Sequence, residues 1–145
     1  METLQFRWTP SQDKHGWGNG GQGFRDADLV LAFADAPYFQ TPDCYNELRS
    51  RFPSACILGC SSSGSVLGNT LSDGDVVVTA VRLKHSSVRL SVIDVDDSFD
   101  IETSTRMLVS ALHGDDLRHV LLLSDGQKVN GSALAAGFWN QGVTV

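Results

Sequence analysis

A chain of 145 residues, 41% hydrophobic and 19% charged, can bury one domain core and has the make-up of a globular protein. Its formal net charge of -6 repels phosphate, which excludes broad binding to nucleic acid or to anionic membrane surfaces. No apolar run has the length of a membrane span, and the opening METLQFRWTPSQDKHG is polar and mixed, without a leader pattern.

In chain order, TLQFRW (residues 3–8) reads as a short first strand and HGWGNGGQG (15–23) as a glycine-rich loop or linker. Residues 1–26 are therefore set apart from a main body over 27–145. Within the linker, Gly16, Gly18 and Gly21 satisfy GxGxxG. The pattern follows polar sequence and precedes a strand, the wrong context for a dinucleotide site, and reads as solvated chain. ADLVLAFA (27–34) is a continuous apolar run of strand length, the pattern of a strand buried on both faces.

TPDCYNELRSRF then predicts a helix with Thr41 as cap, Pro42 in the first turn and Asp43 complementing the dipole. Cys44, Leu48 and Phe52 recur every four residues as its apolar stripe, and Pro53 ends it. SACILGC supplies a second buried strand. The β-branched runs DVVVTAVRL (75–83) and SVRLSVIDV (87–95), split by Lys84-His85-Ser86, predict an antiparallel hairpin.

Asp100 is placed to cap a helix through IETSTRMLVSALHG, stopped at Gly114. HVLLLSD reads as a third apolar strand, and GQKV leads into a last helix over 130–140. The closing GVTV looks like the start of a further strand. Together these predict an α/β fold: a mixed, mostly parallel sheet with flanking helices and an inserted antiparallel hairpin. The three apolar strands would then end in ADAP, CSSSG and SDGQKVNGS at one rim, where such sheets take ligands.

Nucleophilic catalysis finds little footing in that pattern. GxSxG is absent from Gly59-Cys60-Ser61-Ser62-Ser63. The four histidines fall in the linker (His15), a turn (His85), a helix end (His113) and a strand start (His119), none suited to activate Cys60 or Ser61. GQKVNGS opens a helix after a strand as a P-loop does, but Ser132 stands where the phosphate-binding lysine belongs. Asp94, Asp96, Asp97 and Asp100 lack calcium-loop spacing and read as a solvated turn with Asp100 as cap. No metal or cofactor site is expected.

Cys44, Cys56 and Cys60 are odd in number and form no CxxC pair, which predicts reduced thiols and a cytoplasmic setting. On a strand at ~3.3 Å per residue, Cys56 and Cys60 stand about 13 Å apart, too far to share a metal. Both read as small buried hydrophobes.

Polar recognition survives. Gly59, Gly64, Gly126 and Gly131 would shape loops whose backbone N–H groups form a nest, and Cys60, Ser61, Ser62, Ser63, Ser124, Asp125, Asn130 and Ser132 would supply polar contacts. The competing reading leaves Ser61 to Ser63 and Asn130 merely satisfying loop backbone and capping a helix. From the residues alone, both stand open.

ILGCSSSGSVLG and LLLSDGQKVNGSALAAGF, with DLVLAFADAPYF, resemble the FIST N-terminal domain, a sensory module of bacterial and eukaryotic signalling proteins. The family pattern G-C-S-[ST]-x-G is matched by Gly59, Cys60, Ser61, Ser62 and Gly64. L-S-D-G-x-x-V-N-G-S-x-L is matched by residues 123–126, 129–132 and Leu134. The resemblance covers roughly residues 27–140 and implies a non-enzymatic domain for a small ligand, amino acids among those proposed. It implies signalling to an attached or partner module, and in some members haem-based sensing of nitric oxide. An amino acid could place one charged end in each loop, its amino group on Asp125. The family's usual helix before the first core strand is replaced here by the linker. The chain also stops where a further strand and a C-terminal FIST domain would follow, which implies a truncated member or one that completes its sheet as a homodimer. The alternative class is a hydrolase-type enzyme using Cys60 or Ser61.

Overall fold

The structure, a computed structural model, describes residues 1–9, 16–17, 25–72, 74–96 and 98–143, with the side chains of residues 16, 17 and 72 excepted. Most of the glycine-rich linker, His15, the GxGxxG reading, Asp97 and the final two residues lie outside the described residues. The chain forms two compact units, Met1–Val88 and Arg89–Val145.

The first unit is built on a five-stranded sheet. Strands β1 (Glu2–Thr9), β2 (Gly16–Trp17), β3 (Leu29–Ala34), β4 (Cys56–Ser61) and β7 (Val76–Arg82) lie in the order β2-β1-β7-β3-β4. Between them come a 3-10 turn (Ala36–Phe39), helix α1 (Asp43–Arg51) and a separate two-stranded ribbon of β5 (Ser65–Leu67) and β6 (Thr70–Ser72). Among the described residues only β3 and β4 pair in parallel, from Leu29↔Cys56 to Ala34↔Ser61, with α1 as the crossover. The expectation of a mostly parallel sheet is corrected accordingly.

The expected hairpin is also absent: β7 pairs with β1 on one side and β3 on the other, both antiparallel, and residues 87–95 form no assigned strand. The reason is burial. Val76, Val77 and Val78 are all buried, so this strand is apolar on both faces and belongs at the centre of a sheet, between two partners. The first strand provides one of those partners rather than standing outside the fold.

Register sorts the core. Phe6, Trp8, Val30, Ala32, Val76, Val78 and Ala80 share one face, against which α1 packs Cys44 and Leu48, followed by Phe52. The rings of Phe6 and Phe52 stack at 6.1 Å between centroids. The opposite face of β3 is half-buried at Leu29, Leu31 and Phe33, so that strand is not enclosed to the same depth on both sides. Pro42, not Thr41, is the cap residue of α1, and the Thr41 hydroxyl donates to Asp43 Oδ2 at 3.2 Å instead of binding the helix backbone.

The second unit pairs α2 (Ile101–Leu112) with α3 (Gly131–Trp139). Both predicted caps are present: Asp100 accepts from Thr103 N at 2.8 Å, and Asn130 accepts from Ala133 N at 3.0 Å. Val109, Val129, Leu134 and Phe138 form the core, with Val95, Val120 and Leu122 packed on it. Residues 119–123, the expected third strand, carry no strand assignment. Their burial alternates, with Val120 and Leu122 half-buried and Leu121 and Leu123 exposed, so the run has one covered face rather than two.

Candidate functional site

The parallel pair fixes one end of the first sheet. β3 and β4 finish level, with Ala34 beside Ser61, so the residues that follow them emerge at the same rim. After β3 the chain makes the turn 36–39, and after β4 it passes through Ser62, Ser63 and Gly64. Two of the three loops predicted for this rim are thus found there.

Main chain and side chain then pin the rim in place. Ser62 N donates to Ala34 O at 2.8 Å, carrying the ladder one residue past the strands. The Ser62 hydroxyl donates to Gly64 O at 2.6 Å and accepts from Gly64 N at 3.4 Å, so it is consumed by its own loop. The buried Ser65 hydroxyl donates to Phe33 O at 3.2 Å. The Tyr38 hydroxyl donates to Gly74 O at 2.6 Å and anchors the facing turn. Burial chiefly, then the carboxylates of Asp75 and Asp35, raises the Tyr38 pKa above its ordinary value and keeps it a donor.

A side chain at Gly59 would meet Phe39 Cε1 at 3.1 Å, so the glycine admits the aromatic ring to the rim. Ser61 and Ser63 are exposed, and among the described residues neither hydroxyl has a hydrogen-bond partner. Cys60 is half-buried, its thiol donating to Ser61 O at 3.3 Å. Residues 35–41 and 59–72 contain no lysine, arginine or histidine, and Asp35 is the only charged residue in those two stretches.

The third predicted loop, residues 124–132, belongs to the other unit. Asp125 closes a turn: its carbonyl accepts from Val129 N at 2.9 Å and its carboxylate from Gln127 N at 2.9 Å. Asn130 is spent on its helix. Ser124 and Ser132 are exposed and, among the described residues, unbonded. The glycine nest does not form as expected. Positive φ occurs at Gly68, Gly74 and Gly142, and not at Gly59, Gly64, Gly126 or Gly131. Gly68 instead turns the β5–β6 ribbon, which the Gly68-Asn69 pair between two short apolar runs could have signalled.

Chemically the rim offers hydroxyls, a thiol, a carboxylate and an aromatic face. His85, in the first unit, is exposed and among the described residues hydrogen-bonds to neither Cys60 nor Ser61; His113 and His119, in the second unit, are exposed as well. Nor does any of the three offer a sheltered axial ligand for haem. Among the described residues no three His, Cys, Asp or Glu side chains are placed to hold a metal, and no helix is long and apolar enough to cross a membrane.

Comparison with curated proteins and with solved structures finds no match. The family pattern of the FIST N domain, in contrast, matches residues 28–145. That span holds well over half of the chain, including the rim and both polar loops, and the chain therefore belongs to the FIST N family of sensory signal-transduction domains.

Proposed function

We propose that this sensory domain binds a small polar ligand at the rim formed by residues 35–39 and 59–64, without catalysis, and passes occupancy to an attached or partner signalling module. The observation that carries the reading is the division of labour among the serines. Ser62 and Ser65 are spent on main chain, while Ser61, the last residue of β4, and Ser63, just past it, are exposed and among the described residues have hydroxyls without a partner. Phe39 adds an apolar face beside Gly59.

Charge narrows the ligand class. With Asp35 and no basic residue in these stretches, the rim suits an ammonium or a neutral polar group better than a phosphate, which fits an amino acid or a similar small amine. Among the described residues of the first unit no base is bonded to Cys60 or Ser61, which supports recognition over hydrolysis. Isothermal titration of the full-length protein against the common amino acids tests the reading. Saturable heat that weakens in Ser61→Ala and Ser63→Ala is expected. No heat from any of them removes amino acids as ligands, and heat lost only in Ser124→Ala or Ser132→Ala moves the site to the loop of residues 124–132.

A further inference from the structure

We infer, on the reading of the rim as ligand site, that Phe39 selects the ligand: a small amine with an apolar body of leucine to phenylalanine size. The Phe39 ring is 37% exposed and stands outside the core, while its neighbour Tyr38 packs against that core. The turn that carries the ring is braced. Tyr38 N donates to Asp35 O at 3.1 Å and Gln40 N to Pro37 O at 3.3 Å, and the Tyr38 hydroxyl is held by Gly74 O.

A single exposed phenylalanine means little, because apolar residues are common on protein surfaces. Gly59 is the separate observation. It is exposed within β4, where a glycine weakens a strand and marks a close approach. A Cβ there would lie 3.1 Å from Phe39 Cε1 and 3.6 Å from Cζ, so the missing side chain lets the ring reach the strand. Gly59 pairs with Ala32 and Ser61 with Ala34, so the two share one face of β4. The ring and the exposed Ser61 thus belong to the same face, with Gly59 and Ser61 about 7 Å apart along the strand.

That spacing selects the body of the ligand. With its polar end hydrogen-bonded at Ser61, an amino acid of leucine or phenylalanine size spans the distance to the ring. The side chain of serine is too short. That of asparagine has the shape of leucine but would give up water to press a polar amide on the ring. An alkyl or aromatic body instead removes apolar surface of its own and of Phe39 from water. Asp35 directly follows Ala34, the β3 residue level with Ser61, and its charge suits the ammonium end. Leu71, on β6, is the rival for the same role: it is 66% exposed, and a Cβ on Gly64 would lie 3.5 Å from its Cδ1.

The test is calorimetric titration of the full chain with leucine, phenylalanine, asparagine and serine. Leucine should bind about tenfold tighter than asparagine, the low end of what an apolar contact discriminates. Phe39→Ala should bring the two affinities to within about twofold, and Phe39→Leu, which keeps an apolar group, should recover a preference for leucine. Leu71→Ala should keep the preference intact. In the unaltered chain, nuclear Overhauser effects should join the leucine methyls to the Phe39 ring protons. Equal affinity for leucine and asparagine, a preference that survives Phe39→Ala or is lost in Leu71→Ala, or absent Overhauser effects would each overturn the inference. Binding that still weakens in Ser61→Ala would then leave the rim as ligand site, whereas no heat from any of these amino acids would overturn both.

Discussion

Gly137 in α3 lies against Thr105 in α2 so closely that a Cβ at position 137 would stand 2.8 Å from Thr105 Cγ2 and 2.9 Å from Oγ1. Thr105 is fully buried, and its hydroxyl donates to Ile101 O at 2.8 Å and Glu102 O at 3.0 Å, so the side chain cannot swing aside. Gly137→Ala gains about 1 kcal/mol of helix propensity but forces the helices apart, which typically costs about 1–3 kcal/mol. A net loss of about 1 kcal/mol is expected from urea denaturation. The double variant with Thr105→Ala should be more stable than the two single losses added together. Additive losses would mean that the two residues do not press on each other.

Arg49 closes the far end of α1. Its Nη1 donates to Pro53 O at 3.0 Å and Ala55 O at 2.8 Å, and at 3.5 Å to Phe52 O, collecting carbonyls beyond the helix. Arg49→Ala should lower stability by about 1–2 kcal/mol in chemical denaturation. Arg49→Lys should recover less than half, because the lysine ammonium is more strongly hydrated than a guanidinium and gives up more water to sit among carbonyls. Full recovery by lysine would reduce the effect to simple charge near the helix end.

The limits of the sequence follow the range of each interaction. Helices α1, α2 and α3 were legible because a four-residue stripe, the Asp100 cap and the Asn130 cap are local signals. β3 and β4 were legible as apolar runs. The partners of β7 were not, because the pairing of Val81 with Thr3 and Leu29 joins residues remote in sequence, while Lys84-His85-Ser86 imitates a local turn. At the site, the motif around Ser61 located the loop. Which serine is spent could not be read, since Ser62 and Ser63 differ only in how the backbone aims them. Phe39 carries no motif, and only the fold brings its ring over Gly59.

Thiol reactivity should separate the cysteines. Cys44 is 2% exposed, and burial pushes its thiol up to about 11. In the folded protein at neutral pH, Cys44 should resist alkylation while the half-buried Cys56 and Cys60 react first, as mass spectrometry after brief labelling would record. The folded state keeps this thiol neutral, so its contribution to stability is complete below the unfolded thiol value of about 8.5 and is lost as pH rises through about 11. Equal early labelling of Cys44 would contradict its burial.

Acid should act on the cap of α2. The Thr103 amide donates to Asp100 and lowers its pKa, a shift toward the ionised form in the folded state. Stability from this cap is therefore present above the unfolded carboxylate value of about 3.9 and is lost as pH falls through the lower folded value. Asp100→Asn retains a capping oxygen but does not titrate. The stability gap between wild type and Asp100→Asn should hold steady near neutrality and narrow in acid. A gap that widens in acid would reverse the sign of the linkage.

The serines of the rim give the sharpest separation of fold from function. Ser62 binds Gly64 through both its donor and its acceptor capacity, so Ser62→Ala should loosen the loop and lower thermal stability, with a cost of about 1 kcal/mol. Ser61→Ala and Ser63→Ala remove exposed hydroxyls that have no internal partner among the described residues, and surface changes of that kind stay within about 0.5 kcal/mol. Their effect should instead fall on ligand affinity, about fivefold to tenfold for one hydrogen bond lost from a bound polar group. Thermal denaturation read beside calorimetric titration distinguishes the two classes. If Ser61→Ala and Ser63→Ala destabilise the fold as much as Ser62→Ala, these hydroxyls serve the loop, and the receptor surface must lie elsewhere on the domain.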